Sequence, residues 1–407
     1  MRGAGDAYSV GERIAFYRRR RGLTQRVLAD LVGRSEDWLS KIERNERDIR
    51  RLDVLTELAR ELRVNLGDLL GQPVLVEDEE PSQDDVPAIR EALMSHRRLC
   101  RTLFGGVTAR PVDLRHSVHL TEASWRDYQQ GRIGRVIQAL PGLITTAQAL
   151  EEQAEGPQAA DAWRVSARAH HLAASTLSKI GEADLAWIAA ERAMSAGEQS
   201  GDPLALASAA RAGTHALLSV GRYDDALNLG NTAAAWLESQ PGADDPEALS
   251  LSGMLRLRTA VAAARNQDRS LTKDLLAQAE TAADKLGHDA NHWFTSFGPT
   301  NVRLHRLSAA LDLDDVAYVL EHGPRVAAEG LPAERAVTHD LDMARAHSYT
   351  AQDDDALDRL LDAEQKAPQV VHHSASARET VKALHRRAKG TADPKLTRLA
   401  MSCRAIA

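Results

Sequence analysis

Two short helical patterns laid end to end with a glycine between them constrain this chain more than any other feature. Thr24 stands where a hydroxyl caps a helix, and helical spacing runs from Gln25 to Val32. Gly33-Arg34 makes a tight turn, and Ser35 opens a second helix that reaches about Arg44. Leu39 and Ile42 give that helix an inward face, which leaves Glu36, Asp37, Trp38, Lys41 and Arg44 for another partner. An earlier helix carries Val10, Ile14 and Phe16-Tyr17 and stops at Arg18-Arg19-Arg20-Arg21-Gly22. A fourth spans about Arg51 to Leu62, and a fifth covers Leu66 to Leu70 before Gly71. The reading is of five helices around one small core.

A capped helix that stays polar outside, joined by a glycine turn to a short partner, is a helix-turn-helix. Such a helix fits the major groove, where base edges carry a unique donor and acceptor pattern. Leu23-Thr24-Gln25, Leu28-Ala29, Val32-Gly33-Arg34-Ser35 and Trp38 to Arg44, then Leu52, Leu55, Leu58-Ala59 and Leu62, resemble the phage-repressor-like (XRE) helix-turn-helix family over about 60 residues. Asn45 departs from the glycine usual there, yet asparagine tolerates the left-handed backbone. The resemblance implies double-stranded DNA as partner. Gln25 is then placed on backbone phosphate, Arg34, Ser35, Glu36, Asp37, Trp38 and Lys41 at the groove, and Arg44 and Arg47 near phosphates. Arg18 and Arg19 join them from the basic run beside the motif. Glu36 and Asp37 have two readings, acceptors for cytosine amino groups or favourable charges at the helix N-terminus. A module that binds protein instead of DNA is the competing reading of the whole segment.

Charge supports DNA. Residues 1–71 hold 15 basic against 12 acidic side chains, whereas the remaining 336 hold 36 against 46, so a basic head sits on an acidic body. Aromatics are only 4% and alanine is abundant beyond residue 145, which favours close-packed helices over strands. No apolar run approaches the ~18 residues of a membrane span. Met1 to Val10 lacks a signal-peptide core, and Cys100 and Cys403 stand far apart, so the expected setting is the reducing cytoplasm.

The expected organisation is a DNA-binding domain over 1–72, an acidic, proline-punctuated linker over 73–90 (Glu77 to Pro87 at its heart), and a helical-repeat domain over 91–407. A turn residue followed five positions later by a small apolar one recurs at Gly131, Gly181, Gly221, Asn266, Leu311 and Ala351, at intervals of 50, 40, 45, 45 and 40 residues. The copy Gly221-Arg222-Tyr223-Asp224-Asp225-Ala226-Leu227 is similar to the turn of a tetratricopeptide repeat, although the period exceeds that family's ~34. The fold class expected is therefore all-α, a five-helix head followed by a tetratricopeptide-like α-solenoid with a concave groove, capped by the last helices. The likeness to tetratricopeptide solenoids puts the first helix of each hairpin on that groove. Counting ten and six residues back from each turn brings His171, Arg211, His215, Arg256, Asn301, His305 and Arg345 there, with no carboxylate among them. That composition suits an anionic or carbonyl-rich ligand. Trp293, Phe294 and Phe297 read either as a wall of that groove or, preferentially, as packing core at a bend. His170-His171 and His372-His373 point apart on a helix, so no metal site is expected.

Nothing resembles a phosphate loop, nucleophile elbow or metal cluster, so no catalytic residue, cofactor or enzymatic activity is expected. The whole resembles Gram-positive and actinobacterial regulators with an XRE head and a tetratricopeptide-like body. That implies a homodimeric transcriptional regulator whose body binds a small molecule or peptide. A DNA-bound scaffold whose groove recruits a protein is the alternative.

Overall fold

The computed structural model describes residues 9–20, 23–47, 49, 52–62, 64, 69, 86–96, 112–388 and 393–406. The chain divides into two compact units, Met1–Asp84 and Asp85–Ala407. It is all-α, and among the described residues no strand occurs and no helix is long and apolar enough to cross a membrane.

The first unit holds α1 (Val10–Arg20), α2 (Gln25–Leu31), α3 (Glu36–Glu43) and α4 (Leu52–Leu62). Ile14, Leu28, Leu39, Ile42, Leu58 and Leu62 form its core. Of the fifth expected helix only Leu69 is described, and it is helical and buried in the same core. Local chemistry sets each helix start. The Ser9 backbone N–H donates to Glu12 Oε2 at 2.8 Å while the Glu12 N–H donates to Ser9 Oγ at 3.2 Å, a reciprocal capping box. Thr24 and Ser35 each accept from the N–H three residues on, at 3.2 Å. Asn45 has φ 60°, the left-handed conformation expected of it. Gly11 lets α1 run against the end of α3, because a Cβ there would stand 1.9 Å from the Ile42 carbonyl oxygen.

The linker expected over 73–90 ends early. Helix α5 (Val86–Leu93) begins inside it and buries Ile89 and Leu93 in the second unit's core. Pro87 lies in the first turn of α5, where its missing N–H costs nothing, so the proline that read as a break is a helix start.

Six helical hairpins follow: α6 (Leu114–Gln129) with α7 (Ile133–Glu152), α8 (Ala159–Ile180) with α9 (Ala183–Ser200), and α10 (Pro203–Ser219) with α11 (Tyr223–Glu238). Then come α12 (Pro246–Arg265) with α13 (Arg269–Leu286), α14 (Pro299–Asp312) with α15 (Val316–His322), and α16 (Ala333–Tyr349) with α17 (Asp353–Lys366). Helices α18 (Pro368–His373), α19 (Ala375–Arg387) and α20 (Pro394–Ser402) end the unit. Runs such as Leu185, Ala186, Ala189, Ala190 and Ala193 are fully buried, and their small side chains let neighbouring helices approach closely. Left-handed residues close the hairpins: Gly131, Gly181, Gly221, Gln267, Asp314 and Ala351, with φ of 74°, 87°, 74°, 60°, 62° and 58°. Four stand where the sequence pattern puts them. The turns expected at Asn266 and Leu311 lie one and three residues further on.

In an open solenoid each repeat touches only its neighbours. Here the last repeat meets the first. The Gly134 N–H donates to Gln369 Oε1 at 2.7 Å, and a Cβ at Gly131 would stand 2.5 Å from the Ala367 Cβ. Lys179 at the end of α8 donates to Glu334 Oε1 on α16 at 2.5 Å. The inner face therefore holds a narrow, partly open cavity where the sequence suggests a long open groove.

Candidate nucleic-acid interface and inner cavity

In the first unit an ion pair locks the two helices of the motif to α1. Arg18 Nε and Nη2 donate to the Glu43 carboxylate at 2.6 and 2.8 Å, and Arg18 Nη1 donates to the Leu23 carbonyl at 2.8 Å. Gln25 Nε2 reaches the same carboxylate at 2.7 Å. Arg18 and Glu43 are both 8% exposed, so Arg18 is a structural residue and not the phosphate contact expected from the basic run. A bidentate fork with a third donor is the geometry in which a buried carboxylate is fully satisfied. Gln25 remains half-buried at the start of α2, its amide bound inward.

On the outer side, Arg19, Arg34, Ser35, Glu36, Asp37, Arg44 and Arg47 are exposed, and Trp38 and Lys41 are half-buried. Ser35 is the cap of α3. The Arg34 guanidinium lies 5.8 Å from the centre of the Trp38 ring. Lys41 Nζ donates to Asp37 Oδ2 at 2.6 Å, one turn apart along α3, and Arg44 meets Glu46 at 3.1 Å. Glu36 and Asp37 occupy the first turn of α3, where its dipole favours negative charge. Asp37 also holds Lys41 in place.

In the second unit the inner cavity is lined by Trp125, Tyr128 and Gln129 of α6, His171 and Ser175 of α8, Arg211 and His215 of α10, and Met254 and Arg258 of α12. The loop before α14 adds Phe294, Thr295 and Ser296, and α16 adds Glu334 and Arg335. The cavity is small, about 30 Å³. Of the seven residues expected in a groove, the structure brings His171, Arg211 and His215 to it. Arg256 lies elsewhere, donating to Glu238 at 2.8 Å and to Asn231 at 3.1 Å, and Arg345 pairs with Asp312 at 3.0 Å. Asn301 and His305 are buried behind the cavity wall. Asn301 Nδ2 donates to the Ser296 carbonyl at 2.9 Å, and His305 Nδ1 lies 2.9 Å from the Asn301 carbonyl oxygen.

Arg258 is the residue the spacing argument missed. On the first helices the lining pairs are His171/Ser175, Arg211/His215 and Met254/Arg258, each four apart. The last pair lies thirteen and nine residues before the left-handed Gln267, where the earlier pairs lie ten and six before their glycines, so counting ten back from Asn266 lands on Arg256 and misses Arg258. Trp125 also lay outside the pattern. It stacks on Phe294 with centroids 5.3 Å apart and planes 10° apart, and meets His171 edge-on at 4.9 Å. The aromatic cluster thus divides: Phe294 is cavity wall, while Phe297 is fully buried core whose ring lies so close to Gly253 that a Cβ there would be 2.0 Å from it.

The electrostatics of the wall are one-sided. Glu334 accepts from Arg335 at 2.6 and 2.7 Å and from Lys179 at 2.5 Å. Burial raises its pKa, but those two cations outweigh burial and hold it well below the carboxylate range. Burial, then the charge of Arg211, depresses His171 well below 6.5, and burial, then Arg258, does the same to His215. His305 is driven to about 3 by burial and then by Arg335. All three rings are neutral. Among the described residues no group of three or more histidine, cysteine or carboxylate side chains gathers as a metal site.

Residues 9–70 match the family model of a helix-turn-helix domain. The first unit carries that domain. A comparison with functionally characterised proteins returned no match to the sequence. Among solved structures the chain is similar to Bacillus thuringiensis PlcR, in a crystal structure with the peptide PapR7 and DNA. The identity is 16%, the match covers 69% of this chain and 96% of that one, and the TM-score is 0.34. At that score nothing transfers from that protein to this one.

Proposed function

We propose that the chain is a sequence-specific DNA-binding transcriptional regulator, acting in the cytoplasm as a homodimer, whose helical-repeat unit receives a signal ligand. The observation that carries the DNA reading is the outer face of α3. It is capped, short and locked from behind by Arg18, Gln25 and Glu43; the exposed Arg34 stands just before it, and half-buried Trp38 and Lys41 lie on its outer side. Such a helix enters the major groove by its N-terminal end, with Arg34, Trp38 and Lys41 at the groove and Arg44, Arg47 and Arg19 toward phosphates. One such helix buries too little surface for high specificity, and two heads on symmetric half-sites supply the rest. A ligand acts on the heads by favouring one shape of the repeat unit over another. The small inner cavity, with the end of the repeat unit seated on its first hairpin, speaks for a compact ligand over the scaffold reading, in which a protein segment lies along a long groove.

The test is selection of duplexes from a random library by the full-length protein, followed by anisotropy titration at several salt concentrations. The expected result is a preference of roughly 10³-fold or more over random competitor. Arg47→Ala should flatten the log–log salt slope by about 1, and Arg34→Ala should relax sequence preference by about 1–3 kcal/mol. A protein that enriches no duplex, or variants indistinguishable from the parent in both respects, would overturn the reading.

A further inference from the structure

We infer that the inner cavity is an oxyanion site, in which the guanidinium groups of Arg211 and Arg258 hold the carboxylate or phosphate of a compact ligand. This deepens the ligand half of the proposed function and rests on that reading for its role in regulation, although the site is argued from the cavity alone.

Charge on the cavity wall does not balance. Arg211, Arg258 and Arg335 line it, and the lining includes a single carboxylate, Glu334. That carboxylate is taken by both Arg335 and Lys179. Arg211 is 6% exposed and its guanidinium lies 6.0 Å from the centre of the Trp125 ring; among the described residues its hydrogen-bond contacts are the Trp293 and Phe294 carbonyl oxygens, each at 3.5 Å, and His171 Nε2 at 3.4 Å. Those distances sit at the limit of a hydrogen bond. Arg258 has even less. Its Nε is buried with no hydrogen-bond partner, and among the described residues no carboxylate lies within ion-pair distance of it. The rest of the side chain keeps access to the cavity.

Two cations facing one small space without a counter-charge are unfavourable, and proteins keep such an arrangement where a partner supplies the missing charge. Burial, and then the mutual repulsion of the pair, brings Arg211 down to about 9, while burial and then Arg335 bring Arg258 to about 10. The neutral rings of His171 and His215 stand beside the pair. The short contact of His171 Nδ1 with Ser208 Oγ, at 2.9 Å, leaves Nε2 toward Arg211. A guanidinium fork matches an oxyanion with two parallel donors.

The volume and the loop define the ligand's shape. About 30 Å³ admits one or two waters, so only the anionic head of a ligand is accommodated without movement. The loop over the cavity carries left-handed backbone at Trp293, Phe294 and Ser296, with φ of 51°, 55° and 51°. Such strain clusters at ligand clamps. The same loop lends Arg211 its two long carbonyl contacts, which an oxyanion would replace. The half-buried Phe294 ring, backed by Trp125, then offers apolar surface to whatever the anionic head is attached to.

Thermal unfolding of the full-length protein, at constant ionic strength balanced with chloride, tests the site with three probes: inorganic phosphate, acetate and benzoate. At least one should raise Tm saturably above the chloride control, phosphate alone identifying a phosphate ligand and the carboxylates a carboxylic acid. Arg258→Met should abolish the shift and, without oxyanion, melt no lower than the parent, because an unpaired charge has been removed. Arg258→Lys keeps the charge but loses the fork, and should weaken the response at least tenfold. The proposal falls when no probe shifts Tm, when the shift survives in Arg258→Met, or when Arg258→Met melts well below the parent in chloride. Duplex binding is read separately by anisotropy. An oxyanion response without duplex selection removes the regulator reading and leaves this site standing, and the reverse pattern does the opposite.

Discussion

Arg18 and Glu43 meet where little water reaches them, and the head depends on their remaining together. Removing one partner of a buried, fully bonded pair strands the other charge and costs about 3–5 kcal/mol. Glu43→Ala should therefore unfold the helix-turn-helix domain at markedly lower urea, followed by the loss of duplex binding, while the melting of the repeat unit stays put. An unchanged urea midpoint would show the pair to be dispensable. Sequence alone pointed the other way for Arg18, since four consecutive arginines read as a solvated basic face. One of them is turned inward because α1 crosses the end of α3, and the glycine that allows the crossing, Gly11, carries no local signal. By contrast Thr24, Ser35 and Asn45 were legible, since a cap or a left-handed turn is dictated by the few residues beside it.

At the level of the hairpin, what repeats is the turn and not the helix length. Where glycine supplies the left-handed residue the turn was found, at Gly131, Gly181 and Gly221, and Ala351 fell to the spacing. At Gln267 and Asp314 side chains other than glycine adopt that backbone, and the expected position drifted. On α12 the distance from the turn to the inner wall is three residues longer than on α8 and α10, which is why Arg256 was named and Arg258 was not. Ala351 is exposed and pays the left-handed penalty with no side-chain bond in return. Ala351→Gly should thus stabilise the repeat unit by about 1 kcal/mol, against the usual effect of adding glycine. Calorimetry decides the sign, and a lower Tm would contradict the turn assignment. How the aromatic loop stacks was beyond sequence reasoning for another reason: its partner Trp125 comes from a hairpin more than 160 residues earlier.

For the whole chain, the neutral histidines of the second unit set a response to acid. His305 at about 3, and His171 and His215 well below 6.5, take up protons in the unfolded chain before the folded one. Their stabilisation is complete above pH 6.5 and is lost progressively as pH falls toward those depressed values. Asp342, raised to about 6 by burial, works against the trend by binding its proton first in the folded state. Three rings outweigh one carboxyl, so Tm at pH 5 should lie below Tm at pH 7.5. His305→Gln should reduce the slope by at most about 1.4 kcal/mol per pH unit. A Tm that is flat or rises on acidification would mean that these rings are not held neutral.

A spiral stair whose top tread rests on its bottom one has no loose end to fray. Because Gln369 and Ala367 bear on the turn around Gly131, loosening of the tail is felt at once in the opening hairpin. A change in the girth of the ring at any single joint must likewise be shared by all the others. A molecule the size of a few atoms, lodged at its centre, thereby has leverage over a circuit of about 240 residues, from Gly131 to Gln369.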